Sequence, residues 1–231
     1  MKRRVMFLYL ALSGLIVNSG YAQHSSAILR TGLNLANVSV TDNGRVDEAK
    51  TLASIQIGII GDIELSPFFA IQPGIVLTGK GTKSQSGNEG DANWFRATSN
   101  PFYIEVPVNL VIKSNPSPIR FFGGAGPYLG IGVAGKNKVK GAVLGVDFKS
   151  ESDINFSDDD PSTFNEEEGA GFGIMKRFDY GLNGTLGLEM PKMVVAVNYG
   201  LGLAKLQSGS NSGENNNDKH RVFSITLGVK L

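Results

Sequence analysis

The sequence predicts an all-β chain, an eight-stranded antiparallel up-and-down transmembrane β-barrel. Three observations predict it. Segment after segment alternates apolar with small or polar residues. The connections alternate between tight turns and long polar stretches. No long apolar run follows residue 22, so a membrane-embedded form is not helical.

The last segment shows the rhythm most cleanly. From His220 to Leu231, Phe223, Ile225, Leu227, Val229 and Leu231 fall on one face, and Ser224, Thr226, Gly228 and Lys230 on the other. A strand turns its side chain over at every residue, so this is one apolar ribbon backed by one small, polar ribbon.

The chain opens with a basic group (Lys2, Arg3, Arg4), an apolar stretch from Val5 to about Val17, and Gly20-Tyr21-Ala22. Small residues at −3 and −1 of a cut after Ala22 complete a secretory signal. Residues 1–22 are therefore expected to be a signal peptide and 23–231 the outer-membrane barrel domain. The apolar stretch is short for an anchor helix.

Eight strands are expected in order. The first, about Ala27–Val38, sets Leu29, Leu33 and Leu35 against Arg30, Gly32, Asn34 and Ala36. The second, about Leu52–Leu65, sets Ile55, Ile57, Ile59 and Ile63 against Ser54, Gln56, Gly58, Asp62 and Glu64. In the third, about Phe68–Lys80, Phe69, Ile71, Ile75 and Leu77 oppose Ala70, Gln72, Gly74 and Thr78. The fourth, about Pro101–Lys113, places Phe102 through Ile112 at every second position against Tyr103, Glu105, Pro107 and Asn109. The fifth, about Ile119–Gly135, sets Phe121, Ala125, Leu129, Ile131 and Val133 against Arg120, Tyr128 and four glycines. The sixth, about Arg177–Met190, sets Phe178, Tyr180, Leu182, Leu186 and Leu188 against Asp179, Asn183, Thr185 and Glu189. The seventh, about Lys192–Leu206, has Met193, Val195, Val197 and Tyr199 on its apolar face. His220–Leu231 is the eighth. A ten-stranded barrel is the alternative, if Ala142–Phe148 and Gly171–Ile174 span the membrane.

Ser66-Pro67, Ser114–Pro118 and Pro191 are tight turns, whereas 39–51, 81–99, 136–176 and 207–219 are long and polar. Short periplasmic turns and long outer loops mark an outer-membrane barrel. With the first strand following the secretory signal, both termini are expected in the periplasm of a Gram-negative cell.

A soluble barrel with an apolar interior would show the same period. Its wet exterior would carry many lysines and glutamates. Here the second face carries Gly, Ser, Thr and Asn with a few charges of both signs: Arg30, Asp62, Glu64, Glu105, Arg120, Asp179 and Glu189. Small residues with opposed charges suit a crowded lumen, in which the arginines pair with carboxylates. These seven are the expected lumen charge network, a structural clamp in preference to a selectivity filter. Phe102, Phe178, Tyr180 and Phe223 are expected to ring the outer rim, and Phe69 and Phe121 the periplasmic rim, as an aromatic girdle.

The run F-Y-I-E-V-P-V-N-L-V-I-K at 102–113, the glycine-rich F-F-G-G-A-G-P-Y-L-G-I-G at 121–132, the Tyr-Ala-Gln signal end and the terminal F-S-I-T-L-G-V-K-L together carry a resemblance. They resemble the PorT-like outer membrane β-barrel family, within the broader OmpA/OmpX-type small barrels, over the whole chain beyond the signal. The resemblance implies the barrel fold, and for some members a tie to protein secretion or gliding. It implies no catalytic motif.

Other signals read as structure. Gly130 to Gly135 matches G-x-G-x-x-G, but N-K-V-K-G follows and no helix pattern is present to cradle phosphate. Ser157–Pro161 and Glu166–Glu168 are acidic, but their spacing does not match a calcium loop, and a solvated tip is expected. His220 and Ser224 share a face roughly 13 Å apart by the per-residue rise, too far for a base and its nucleophile. His24 belongs to a flexible N-terminus, and His220 is expected as a rim histidine in water. The chain has no Cys, which excludes disulfides, thiol catalysis and Cys-ligated metal. A net charge of +1 gives no reason to expect a nucleic-acid partner.

The expected function is a non-enzymatic outer-membrane barrel with a side-chain-filled lumen, without cofactor or metal. Its surface loops, above all about Lys136–Lys176, meet a partner or the environment. The expected partners are outer-membrane lipid and lipopolysaccharide, the barrel-assembly machinery during insertion, and a surface or secretion-machinery protein. A narrow porin and an outer-membrane lipid-modifying enzyme are the alternatives.

Overall fold

The computed structural model describes residues 25–39, 41–42, 45–46, 50–156, 174–204 and 219–231. The signal segment, His24 and the acidic stretches 157–161 and 166–168 lie outside the described residues, as does most of 207–219.

Eight strands form the wall: β1 (Ser26–Ser39), β2 (Lys50–Glu64), β3 (Phe69–Gly79), β4 (Trp94–Lys113), β5 (Arg120–Val143), β6 (Phe178–Glu189), β7 (Met193–Gly202) and β8 (Lys219–Lys230). Each pairs antiparallel with the next, and β8 returns to β1 with Ile28 opposite Lys230, so the eight close into a ring. A closed sheet satisfies every wall amide and carbonyl internally, which lipid demands. The alternation follows the expected faces. In β8 the exposed residues are Phe223, Ile225, Leu227 and Val229, and the buried ones are His220, Val222, Ser224, Thr226 and Gly228. In β2 Ile55, Ile57 and Ile59 are exposed while Ser54 and Gln56 are buried. Most apolar side chains therefore point away from the ring, and the polar ones into it.

The short connections are stapled locally. The Ser66 hydroxyl accepts from the amides of Phe68 and Phe69, and the Ser114 hydroxyl accepts from the Phe121 amide. These turns, with 190–192, lie at one end, here the turn end; the long connections leave from the loop end.

Two expectations change. The stretch 81–99 is not simply a loop: Thr82–Ser86 pairs with Phe95–Ser99 of β4. And β5 does not stop near Gly135 but runs on to Val143, turns at Leu144-Gly145, and returns as Val146–Asp153. Ala142–Phe148 thus holds the reversal of a hairpin instead of one leg. A four-stranded extension rises from the loop end, made by Thr82–Ser86, the start of β4, the end of β5 and Val146–Asp153. The sheet counts ten strands, of which eight close the ring. The extension parts from the ring where Gly79 faces Phe102, next to a register shift in β5 opposite Phe102 and Tyr103.

Candidate functional site

The lumen is built in layers by strand parity. At the turn end, Lys113 closes β4 on the inward face of Glu105 and Asn109. Its ammonium meets Asp62 at 2.6 Å, Glu64 at 3.0 Å and Glu189 at 3.0 Å. Arg120 reaches Glu64 at 3.0 Å and donates to the Pro67 carbonyl, while Lys230 pairs with Glu189. Gln72 donates to the second Asp62 oxygen at 3.0 Å. Three cations thus face three carboxylates, and Lys113 is fully buried among them. The Asp62, Glu64 and Glu189 oxygens lie within 4.8 Å of one another, a spacing that would suit a cation; the Lys113 ammonium already occupies that role.

One step toward the loop end the inward positions turn apolar. Ile60 precedes Asp62 by two residues, Val111 precedes Lys113 by two, and Phe122 follows Arg120 by two; with Ile28 and Val194 they form a buried layer. The sequence reading assigned none of these five to the inward face, so the layer is new. Two-residue parity would have found it.

Above it lies a polar layer around a cavity of about 30 Å³, lined by Arg30, Gln56, Asn109, Asn183, Asn198 and Ser224 among others. That is room for a water or two. Asn34 donates to the Thr78 hydroxyl at 2.8 Å and to the Gly79 carbonyl at 3.0 Å, tying β1 to β3 across β2.

A second charged layer closes the loop end. Lys80, just past β3, is buried between Glu105 and Asp179, with Asp179 at 2.7 Å. Tyr128 donates to the same Asp179 oxygen at 3.2 Å, and the Lys80 ammonium stands 4.1 Å from the centre of its ring. Tyr103 packs edge-on against both His220 and Phe156. Phe156 belongs to a two-residue strand, Asn155–Phe156, that pairs with Ile174–Met175; the Arg177 guanidinium donates to its carbonyl at 2.9 Å. Its ring lies over Gly132. This segment caps the mouth.

The seven charged residues expected as one network are therefore divided. Asp62, Glu64, Arg120 and Glu189 meet around Lys113. Glu105 and Asp179 meet around Lys80. Arg30 joins neither by an ion pair among the described residues and lines the cavity between them. The expectation that arginines would pair with the carboxylates holds for Arg120 only. Three lysines at strand ends, Lys80, Lys113 and Lys230, do the rest. His220 is not a rim residue in water: it is 3% exposed, and neither ring nitrogen has a protein hydrogen-bond partner. Ser224 faces inward and is equally buried, so neither is open to a substrate. The glycine run at 130–135 is strand, with no helix after it. Phe69, Phe121, Phe178, Tyr180 and Phe223 are all exposed on the outward face, and Phe102 is half-buried at the start of the extension.

The extension carries its own ion pairs. Glu151 holds Lys136 at 2.9 Å and Lys138 at 3.3 Å; Glu89 holds Lys140 at 3.0 Å and Arg96 at 2.9 Å. The Lys136 and Lys138 contacts keep the Glu151 carboxyl below its ordinary value, and Lys140 with Arg96 does the same for Glu89.

Residues 21–208 match the family described as outer membrane protein beta-barrel domain. No curated protein matches the chain. Among solved structures, the attachment invasion locus protein Ail of Yersinia pestis, crystallised with the heparin analogue sucrose octasulfate, is 13% identical; the match covers 90% of this chain and 100% of Ail, with a TM-score of 0.41. OprG from Pseudomonas aeruginosa is 16% identical over 92% of this chain and 98% of its own, with a TM-score of 0.42. Neisserial surface protein A is 12% identical over 90% and 100%, with a TM-score of 0.38.

Proposed function

The chain belongs to the outer membrane protein beta-barrel domain family of the Gram-negative outer membrane, and from that premise we propose a non-conducting, non-enzymatic barrel whose loop-end extension engages a protein partner. One observation carries this reading. Among the described residues the lumen holds a lysine-centred cluster near each mouth and a cavity of only about 30 Å³ between. Eight strands leave little more than side-chain room. Meanwhile the sheet runs on past the ring for the length of a second hairpin, which the barrel itself does not need.

In this reading the turn end and both termini face the periplasm, and the extension stands outside the cell. The outward apolar wall meets outer-membrane lipid and lipopolysaccharide. Phe69 and Phe121 at the turn end, with Phe102, Phe178, Tyr180 and Phe223 toward the loop end, anchor it at the two interfaces. The barrel-assembly machinery inserts it. The PorT-like resemblance supports a surface or secretion-machinery protein as the partner.

Two measurements test it together. In planar bilayers the purified protein gives no steady unitary conductance; large, stable steps would sink the reading in favour of a porin. Replacing 150–168 by a short Gly-Ser turn leaves the heat-modifiable gel shift of the folded barrel intact but abolishes partner binding or the cellular phenotype. If partner binding persists unchanged, the extension is not the docking element.

A further inference from the structure

The returning strand of the extension, Val146–Asp153, ends the sheet. One side of it pairs with β5, and among the described residues no strand pairs with the other. All eight of its residues are exposed, and neither a proline nor a bulge interrupts it. An open edge of this kind is a template for a further strand. Backbone parity shows what it offers. The Ile154 amide donates to the Gly135 carbonyl. The backbone groups of Ser152, Ser150, Phe148 and Val146 therefore also point to β5, and those of Asp147, Lys149, Glu151 and Asp153 point away, into the open edge.

The side chains of these last four share one face. Glu151 and Asp153 stand opposite Lys138 and Lys136 and are answered there. Lys149, by contrast, stands opposite Lys140, and Asp147 opposite Ala142. Neither forms an ion pair within 4.0 Å among the described residues. One unanswered carboxylate and one unanswered ammonium, two residues apart on an open edge, are the complement of the same pair read in the reverse direction.

We propose that the extension pairs edge to edge and antiparallel with that of a second copy of this chain, about a two-fold axis through Phe148. This register sets Asp147 of each copy against Lys149 of the other and brings the two exposed Phe148 side chains together. Other registers fail. Centring on Lys149 or on Glu151 sets like charges face to face, and centring on Ser150 sets Asp147 against Asp153. Strand direction then places the copies. The hairpin reverses at Leu144-Gly145, away from the ring, and Val146–Asp153 runs back toward it. In an antiparallel pair one such strand runs toward its ring as the other runs away, so the two rings lie on opposite sides of the contact. The copies therefore sit in facing membranes and meet tip to tip, and the activity is adhesion between like surfaces. The overlap, 145–151, is short for a stable dimer, so the strength comes from many copies acting together across the gap.

The test reconstitutes the full chain in phosphatidylcholine vesicles and follows their clustering by light scattering. Vesicles bearing the parent protein cluster, and protein-free vesicles do not. Vesicles bearing Asp147→Lys alone, or Lys149→Asp alone, cluster at least about tenfold more slowly, because each variant meets itself with like charges. Mixed together, the two variants complement one another and cluster at the parent's rate. The heat-modifiable gel shift of both stays as in the parent. Parent vesicles that remain apart, a single variant that clusters like the parent, or a mixture that fails to cluster overturns the proposal. The proposal rests on the reading of the extension as a protein-docking element and names its partner. If vesicles stay apart while loss of 150–168 still abolishes binding of a different protein, the pairing of like copies falls and the docking reading stands.

Discussion

Leu186 and Val197 stand directly opposite one another on β6 and β7, and both side chains point away from the lumen. They sit near the middle of their strands, so each faces the hydrocarbon core. Leu186→Arg is expected to cost about 2–4 kcal/mol, and Val197→Arg a similar amount. Because the two side chains are neighbours, the double variant departs from the sum of the singles. Reversible unfolding in liposomes measures all three; an unchanged Leu186→Arg would mean that the faces are assigned the wrong way round.

Lys113 is the tethered cation of a three-carboxylate cage. Lys113→Met leaves Asp62, Glu64 and Glu189 facing one another with Arg120 and Lys230 only at the margin. Breaking such a buried pairing costs roughly 3–5 kcal/mol. Since those carboxylate oxygens lie within 4.8 Å of one another, the variant, unlike the parent, should regain stability on adding millimolar Ca²⁺. Thermal unfolding with and without the ion checks it, and an identical response of parent and variant would count against the cage.

Gly126 faces the Val108 carbonyl and the Asn109 backbone so closely that a Cβ has no place, while nothing lies within 4 Å of one built at Gly184. Gly126→Ala should therefore block or slow closure of the β4–β5 pair, whereas Gly184→Ala is silent. The fraction showing the folded gel mobility after refolding reads the difference directly.

Leu144 leads the tip of the extension at φ 51°, followed by Gly145 at 78°, and is 83% exposed. A branched residue in the left-handed region is strained, whereas Asn tolerates it. Leu144→Asn should stabilise the hairpin by about 1 kcal/mol, seen as slower hydrogen exchange at 136–153. Faster exchange there would contradict the turn geometry.

Acid should loosen the same hairpin. The Glu151 carboxyl, held by Lys136 and Lys138, titrates below its ordinary value of 4.5. A depressed carboxylate contributes stability above its unfolded pKa and loses it as pH falls through the folded one. Protection at 136–153, the exchange rate divided into that of an unstructured amide at the same pH, should thus be flat down to about pH 5 and fall below it. Glu151→Gln shrinks that acid limb, with Glu89 on Lys140 supplying the remainder; an unchanged profile in the variant would assign the limb elsewhere.

Much of this was legible as a period of two. The outward ribbons of β2, β4 and β8 follow from counting alone, because lipid on one side and a crowded lumen on the other leave no third option for an isoleucine or a serine. Lys80, Lys113 and Lys230 share parity with Thr78, Asn109 and Thr226, so the same count reaches them. The count places Lys230 on the polar ribbon, but it does not say that a lysine at a strand end turns back into the lumen instead of out with the turn. The burial of His220 was out of reach, since it depends on Tyr103 arriving from four strands away around the ring. Thr82–Ser86 escaped for a different reason: polar on both faces, it has no apolar ribbon to announce it. And the division of the charges into two clusters needs the heights of strands relative to one another, which register supplies and sequence does not.

The seam between β1 and β8 has a temporal meaning. Every other wall pairing joins strands that follow one another along the chain, but this one joins the first to the last, with Ile28 facing Lys230. Pairings so distant in sequence form slowly, and until this one forms both margins of the sheet present unpaired amides and carbonyls. A chain halted before His220 can never close. It stays permanently adhesive at its margins, and so carries in its own backbone a mark that distinguishes an unfinished product from a finished one.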